Sequence, residues 1–195
     1  HDPNGLENQF VQGWLMQDRY LMRGPFGITY EYLWANPYQP GLSVFKLAPF
    51  FHDEAGGAFF VRSTWDEDAE WFGMFDGKMQ LFQNGGIKQL SQSALAKPLR
   101  LGQSTLMSGQ AGMRFNVDEE EKSAYFLFGM EKNASYDVEV DNEGMYEATA
   151  DGGGILELTF AANTKAGVRI KKAEGLPVSR GAGAGGASAS RASGK

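Results

Sequence analysis

The sequence predicts a mainly β protein, an antiparallel β-sandwich of about ten short strands with one N-terminal helix. Three observations support this fold class. Short apolar runs recur from residue 43 onward, and several alternate apolar and polar residues as half-buried strands do. Hairpin-forming Asp-Gly and Asn-Gly pairs separate many of these runs, whereas helical periodicity is convincing only before residue 25. A closed β-barrel is the structural alternative.

The chain is long enough to bury one hydrophobic core. It has 195 residues, 42% of them hydrophobic, so its composition is that of a folded protein. We expect one domain over residues 1–177 and a tail over residues 178–195. The tail is rich in Gly, Ala and Ser and has little to bury, which is typical of a flexible terminus unless a neighbouring copy or a partner chain holds it.

The helix is predicted over about residues 5–22. Asn4 and Glu7 have the spacing of a capping box at its start, and Gly24 and Pro25 follow its end. The helical stripe consists of Leu6, Phe10, Val11, Trp14, Leu15, Leu21 and Met22, and we expect Trp14 to pack in the core.

The rest of the chain predicts an ordered aromatic loop at FGITYEYLWANPYQPGLS and then a series of strands. The predicted strands are SVFKLAPFF, AFFVRS, EWFGMF, KMQLFQ, GIKQL, GMRFNV, SAYFLFGM, SYDVEV, MYEATA, ILELTF and GVRIK. The hairpin signals between them are Asp76-Gly77, Asn84-Gly85-Gly86, Asp141-Asn142-Glu143-Gly144 and Asp151-Gly152-Gly153.

Charge and composition exclude several partners and chemistries. The net charge is −6, and residues 178–195 hold three basic residues and no acid, so residues 1–177 carry −9. An acidic body repels nucleic acid and anionic membranes. The chain has no cysteine, and no apolar run reaches the roughly 20 residues that span a bilayer.

The sequence starts at His1 rather than at methionine. A cleaved export signal and excision from a longer polypeptide both fit this start. We expect an extracellular, periplasmic or cell-envelope location in a bacterium.

One segment, FVRSTWDEDAEWFGMFDG, concentrates the candidate site residues. Its acids can hydrolyse a glycosidic bond as a pair, or hold calcium through Asp66 and Asp68. The structural interpretation, which we favour, is a solvated turn between two strands. Aromatic rings with one wet edge suit sugar stacking, so the candidate ligand-binding residues are Trp34, Tyr38, Arg62, Trp65 and Trp71.

Two further polar stretches have structural interpretations. His52 lies beside Asp53 and Glu54 in FFHDEAGG, where we favour an exposed turn over a catalytic or metal site. The run Asp118-Glu119-Glu120-Glu121-Lys122 is interpreted as a charged hairpin tip.

The segment FFVRSTWDEDAEWFGMFDG resembles the opening of the C-terminal β domain of heparinase II/III-like bacterial proteins. The matching positions are Arg62, Ser63, Trp65, Asp66, Asp68, Ala69 and Gly77. The resemblance covers about a third of the chain and implies a sandwich of antiparallel sheets in enzymes that cleave uronic-acid polysaccharides by β-elimination. The histidines that such domains offer after the matched glycine are replaced here by Lys78-Met79-Gln80-Leu81-Phe82, so we do not transfer the activity.

These observations favour a non-enzymatic accessory or structural β domain. Its expected partners are other protein chains, including copies of itself through sheet edges or the tail, or a polysaccharide. A fragment of a polysaccharide lyase or hydrolase and a carbohydrate-binding module are the alternatives. No cofactor is expected apart from calcium.

Overall fold

The computed structural model describes residues 5–17, 24, 25, 27–29, 41–142 and 144–173, and these form a mainly β fold of three sheets. The predicted fold class is confirmed: one α-helix precedes strands that pack as a layered sandwich. The described residues contain thirteen strands rather than the predicted ten or so. In the described part of the chain, no helix is long and apolar enough to cross a membrane.

Sheet A contains the first five strands in chain order, each antiparallel to the next. The predicted turns Asp76-Gly77 and Asn84-Gly85 connect its last three strands. All four turn residues have positive φ, between 50° and 74°, as a two-residue hairpin requires. The strands are β1 (Phe50–Asp53), β2 (Ala58–Arg62), β3 (Trp71–Phe75), β4 (Lys78–Gln83) and β5 (Gly86–Leu90).

Sheet B is the middle layer, with strand order β12-β9-β7-β6. It consists of β6 (Leu99–Leu101), β7 (Ser104–Ser108), β9 (Ser123–Phe128) and β12 (Ile155–Phe160). β7 and β9 are parallel, an exception to the antiparallel pairing of the other described strands. The physical reason is that the chain leaves sheet B between them to form β8 in the third sheet.

Sheet C has the order β11-β10-β13-β8 and is antiparallel throughout. It consists of β8 (Arg114–Glu119), β10 (Ser135–Val140), β11 (Gly144–Thr149) and β13 (Thr164–Lys172). Its outer face is charged: Lys165 lies 3.1 Å from Asp118, and Lys171 lies 3.3 Å from Glu139. The outer face of sheet C therefore has the charged side chains that are typical of a surface in contact with water.

Two hydrophobic cores lie on the two faces of sheet B. One contains Phe59 and Phe72 of sheet A with Phe126 and Phe128 of β9. The other places Leu127 and its neighbours against the inner side of sheet C. Every residue of β9 is buried, which explains why SAYFLF is almost continuously apolar rather than alternating.

The helix α1 spans Leu6–Gln17 and packs on the segment before sheet A, where the backbone N–H of Leu42 donates to the carbonyl of Gln9. Residues 18–23, the candidate residues Trp34 and Tyr38, and the tail 178–195 lie outside the described residues. The core position expected for Trp14 is wrong, since its side chain is 43% exposed.

Two predicted hairpins are links between different sheets. Asp151-Gly152-Gly153 joins β11 of sheet C to β12 of sheet B, and the run 118–122 joins β8 of sheet C to β9 of sheet B. Both segments do turn the chain, but a turn signal does not say whether the strands beside it pair. Glu119, expected at an exposed tip, is buried.

Candidate functional site

The acidic segment between β2 and β3 folds as a turn. The backbone N–H of Ser63 donates to the carbonyl of Glu70 across its base at 2.8 Å, and Ala69 is buried beneath it. The other acids point into water: Asp66, Glu67 and Asp68 are all exposed. This geometry fits the solvated-turn interpretation. Within the described residues no group of three His, Cys, Asp or Glu side chains is arranged to hold a metal, and calcium at Asp66 and Asp68 stays a prediction.

Arg62 and Trp65 lie together at one edge of this turn. The guanidinium carbon of Arg62 is 5.7 Å from the centroid of the Trp65 ring, and its Nη2 donates to the carbonyl of Asp66 at 2.7 Å. The indole N–H of Trp65 donates to the carbonyl of Leu47 at 3.0 Å. Both side chains are thereby fixed by backbone acceptors.

Arg62 and Trp65 border a groove of about 740 Å³. We call it the α1 groove, because α1, the segment 44–47 and the β2–β3 turn form its walls. The other lining residues are Phe10, Val11, Trp14, Val44, Phe45, Leu47 and Glu67. The structure thus brings together two of the predicted ligand-binding residues beside exposed apolar side chains.

Trp71, the third described candidate, lies on the outer face of sheet A. Its ring is nearly parallel to that of Phe82, with 9° between the planes and 5.7 Å between the centroids, and Phe60 lies on its other side at 5.8 Å. One face of the Trp71 ring is therefore occupied by Phe82. Trp71 is not among the described residues that line the α1 groove with Trp65.

Trp71 belongs to a larger apolar surface on the outside of sheet A. We call it the aromatic face, and its members are Phe51, Phe60, Trp71, Phe75, Phe82 and Ile87. Phe51 and Ile87 are each 61% exposed. Gly73 lies at its centre, and a Cβ there would come within 2.9 Å of the Phe75 ring. The side chains of this surface therefore close over the sheet backbone.

A buried polar cluster joins the edge strand of sheet A to the edge strand of sheet B. The Nδ1 of His52 on β1 lies 2.8 Å from Oε2 of Glu157 on β12, and its Nε2 lies 3.0 Å from Oδ2 of Asp151. The side chains of His52 and Asp151 are only 5% and 2% exposed. The expectation of an exposed turn at His52 is wrong, because the residue faces inward on β1 together with Phe50.

The geometry of this cluster fits a doubly protonated imidazole. Burial opposes its charge, but hydrogen bonds and charge attraction from Glu157 and Asp151 outweigh burial, so the pKa of His52 is raised above its usual value. The second oxygen of Asp151 accepts the backbone N–H groups of Gly153 and Ile155 at 2.8 and 2.6 Å. Both ring nitrogens are occupied, which leaves none to act as a general base.

Glu157 is the member of the cluster that reaches solvent. It lines a cleft of about 440 Å³ together with Glu54, Asn133 and Thr149. Through His52, the cluster connects β1 of sheet A with Asp151 and with β12 of sheet B.

The sequence did not predict this cluster, because His52 is 99 residues from Asp151 and 105 residues from Glu157 along the chain. One local signal was present: in FFHD, His52 shares its strand face with Phe50, which packs into the core. That alternation predicts an inward histidine, although it does not identify the carboxylates that meet it.

A second polar cluster joins sheet B to the link with sheet C. Arg100 on β6 donates to Oε1 of Glu119, and the hydroxyl of Tyr125 donates to the same oxygen at 2.6 Å. Burial raises the pKa of Glu119, but the hydrogen bonds from Arg100 and Tyr125 outweigh it and hold that pKa below its usual value. Burial, followed by the contact with Glu119, raises the pKa of Tyr125 to about 12.

Comparison with known proteins identified no relative of this chain. No protein-family model, no curated protein and no solved structure matches the chain.

Proposed function

We propose that the chain is a non-enzymatic structural β domain that associates with a second copy of itself through the aromatic face. The carrying observation is that six large apolar side chains share this face, interrupted by Gln80 and Gln89, and that Phe51 and Ile87 are each 61% exposed. An exposed apolar patch of this kind is typical of an interaction site.

The contrast between the two outer sheets supports an interface on sheet A. The outer face of sheet C carries ion pairs such as Lys165–Asp118, whereas the aromatic face carries none of the described ion pairs. Protein interfaces have this composition at their centre: aromatic residues are enriched and charged residues are depleted. The outer face of sheet A therefore has the composition of a protein interface, and the outer face of sheet C has the composition of a solvated surface.

A second copy is the occupant that this surface suits. Charged outward-facing residues of sheet A lie at strand ends, where Asp53 closes β1 and Lys78 opens β4. This rim holds both signs, so two copies can meet face to face with acid opposite base. An apolar centre with a mixed rim is complementary to itself, as a two-fold interface requires.

The test is the oligomeric state in solution. Light scattering after size exclusion should show a dimer for the unaltered chain. Phe51→Lys and Ile87→Lys each place a charge on the aromatic face and should give monomers, because an unpaired charge in an apolar interface is costly. Both positions are exposed, so the folded monomer should tolerate either change.

Met145→Lys is the matched control. Met145 is also a large apolar residue, 68% exposed, but it lies on β11 at the far side of the molecule in sheet C. This variant should remain dimeric. A monomeric unaltered chain at high protein concentration, or a dimer that survives both sheet A substitutions, would overturn the proposal.

The alternatives have weaker support. For a lyase or hydrolase fragment, the turn acids Asp66, Glu67 and Asp68 point into water, and the described residues of the α1 groove include no tyrosine. For a carbohydrate-binding module, Trp71 and Phe82 are stacked rather than coplanar. Export from the cell and contact with polysaccharide stay predictions, which secretion assays and glycan-array binding would test.

A further inference from the structure

Arg62 is a cation without a partner anion. None of the ion pairs among the described residues includes it, and its Nε is buried without a hydrogen-bond acceptor. In the adjacent turn, Arg62 donates to the backbone carbonyl of Asp66, and it forms no direct ion pair with the described carboxylates of that turn. An arginine in this position has donors left for a ligand.

The surroundings hold the guanidinium at the α1 groove. Its contact with the Asp66 carbonyl fixes one end, and the Trp65 ring lies under its face at 5.7 Å. Trp65 is itself fixed through the Leu47 carbonyl. Little rotamer entropy remains to be lost when an anion binds, which favours affinity.

Apart from Glu67, the rest of the groove is lined by apolar side chains, and several of these are exposed. Phe45 is 58% exposed and Trp14 is 43% exposed, and both border the same space. A volume of about 740 Å³ lies within the range of pockets that hold small organic ligands. Such walls gain from covering a flat apolar body.

We propose that the α1 groove binds a small organic carboxylate with a flat apolar body. The carboxylate accepts hydrogen bonds from Arg62, and the apolar body packs against Trp14 and Phe45. Glu67 on the rim disfavours more highly charged anions, because a second negative charge would lie near its carboxylate. This inference does not depend on dimerisation through the aromatic face.

The test compares three probes by calorimetric titration of the full chain: 2-naphthoate, the neutral 2-naphthamide, and glucuronate. Naphthoate should bind. Naphthamide should bind at least about tenfold more weakly, because it lacks the charge that Arg62 recognises. Glucuronate should also be weaker, since it has the carboxylate without the flat apolar body.

Variants locate the binding site. Arg62→Gln should abolish the preference for naphthoate over naphthamide, and Phe45→Ser should weaken both aromatic probes. Met145→Ser, an exposed apolar position on sheet C, should change nothing. If Arg62→Gln fails to fold, the comparison of probes on the unaltered chain still decides.

The inference is overturned by no binding of naphthoate, by equal binding of naphthoate and naphthamide, or by unchanged naphthoate affinity in folded Arg62→Gln. Tighter binding of glucuronate than of naphthoate would also overturn it, and would indicate a saccharide site instead.

Discussion

His52 connects two layers of the protein through one ring. Its charged form donates to both Asp151 and Glu157, whereas the neutral ring has one N–H and can donate to only one of them, so the cluster stabilises the fold most while the imidazole is protonated. Because the pKa of His52 is raised in the folded state, this stabilisation is complete below the ordinary histidine pKa of 6.5 and is lost as the pH rises through the folded-state pKa.

We expect the free energy of unfolding to decrease as the pH rises above the ordinary histidine pKa of about 6.5 and through the raised pKa of the folded state, and we expect His52→Gln to flatten this dependence. The variant should also lose about 3 kcal/mol at neutral pH, because it leaves the buried Asp151 without a cation. Urea unfolding monitored by tryptophan fluorescence measures both effects. Equal pH slopes in the two proteins would contradict the role assigned to His52.

A glycine contact lies beside the same cluster. Gly57, in the β1–β2 turn, has φ of +65°, and a Cβ there would lie 2.5 Å from the Cα of Gly153. Gly85 has φ of +74°, and a Cβ added there would have no atom within 4 Å. The two residues therefore share the backbone requirement for glycine but differ in the contact.

We expect Gly85→Ala to cost about 1 kcal/mol from backbone strain alone. Gly57→Ala should cost clearly more, since the added methyl group also pushes the β1–β2 turn away from Gly153. Comparing the thermal unfolding of the two variants separates the cost of the contact with Gly153 from the cost of backbone strain. Equal losses would show that the backbone approach contributes nothing.

At the level of elements, the Arg100–Glu119–Tyr125 cluster holds the link between β8 and β9 against the edge strand β6. The pKa of Glu119 is lowered in the folded state, so its contribution is present above the ordinary glutamate value of 4.5 and is lost as the pH falls. The Glu119 cluster therefore loses its contribution to stability as the pH falls, whereas the His52 cluster loses its contribution as the pH rises.

Glu119→Gln should reduce the loss of stability of the folded chain below about pH 4.5. Glu120→Gln is the control, because Glu120 is the exposed neighbour in the same link. Acid unfolding curves followed by circular dichroism distinguish the two. A Glu120 variant with the same altered acid slope would assign the effect to net charge rather than to the buried carboxylate.

The strands show how much of the secondary structure can be predicted from local sequence patterns. The predicted strands KMQLFQ, GIKQL, SYDVEV and ILELTF have the same bounds as β4, β5, β10 and β12 in the structure. Alternation and turn residues are local properties, so sequence reveals them. β6 and β7 escape prediction because LRL is too short to show a period and STLMS is buried at four of its five positions.

The sites are less predictable than the strands. Arg62 and Trp65 are neighbours in sequence, and their meeting at one groove follows from a single turn. The His52 cluster and the aromatic face arise only when distant strands pair in a particular register. The sequence alone shows the residue types, but it does not show the strand register that decides which residues meet.

For the whole molecule, net charge opposes the proposed dimer. Each chain carries −6, and two such bodies repel one another at long range, whereas apolar contact across the aromatic face does not depend on charge. We expect the dimer dissociation constant to decrease as salt rises from about 20 mM to about 500 mM. Sedimentation velocity at several salt concentrations measures it, and a constant that increases with salt would indicate an interface held by ion pairs instead.

The strand order of sheet C has a consequence for how the protein is made on the ribosome. β13 comes last among the described strands in chain order, yet it lies between β10 and β8. Until β13 emerges, sheet C is a hairpin and a separate strand with nothing between them, and the side of sheet B that faces it stays uncovered. Sheet A, whose strands pair in order of synthesis, can be complete much earlier, so a nascent chain would expose one finished layer and one open layer at the same time.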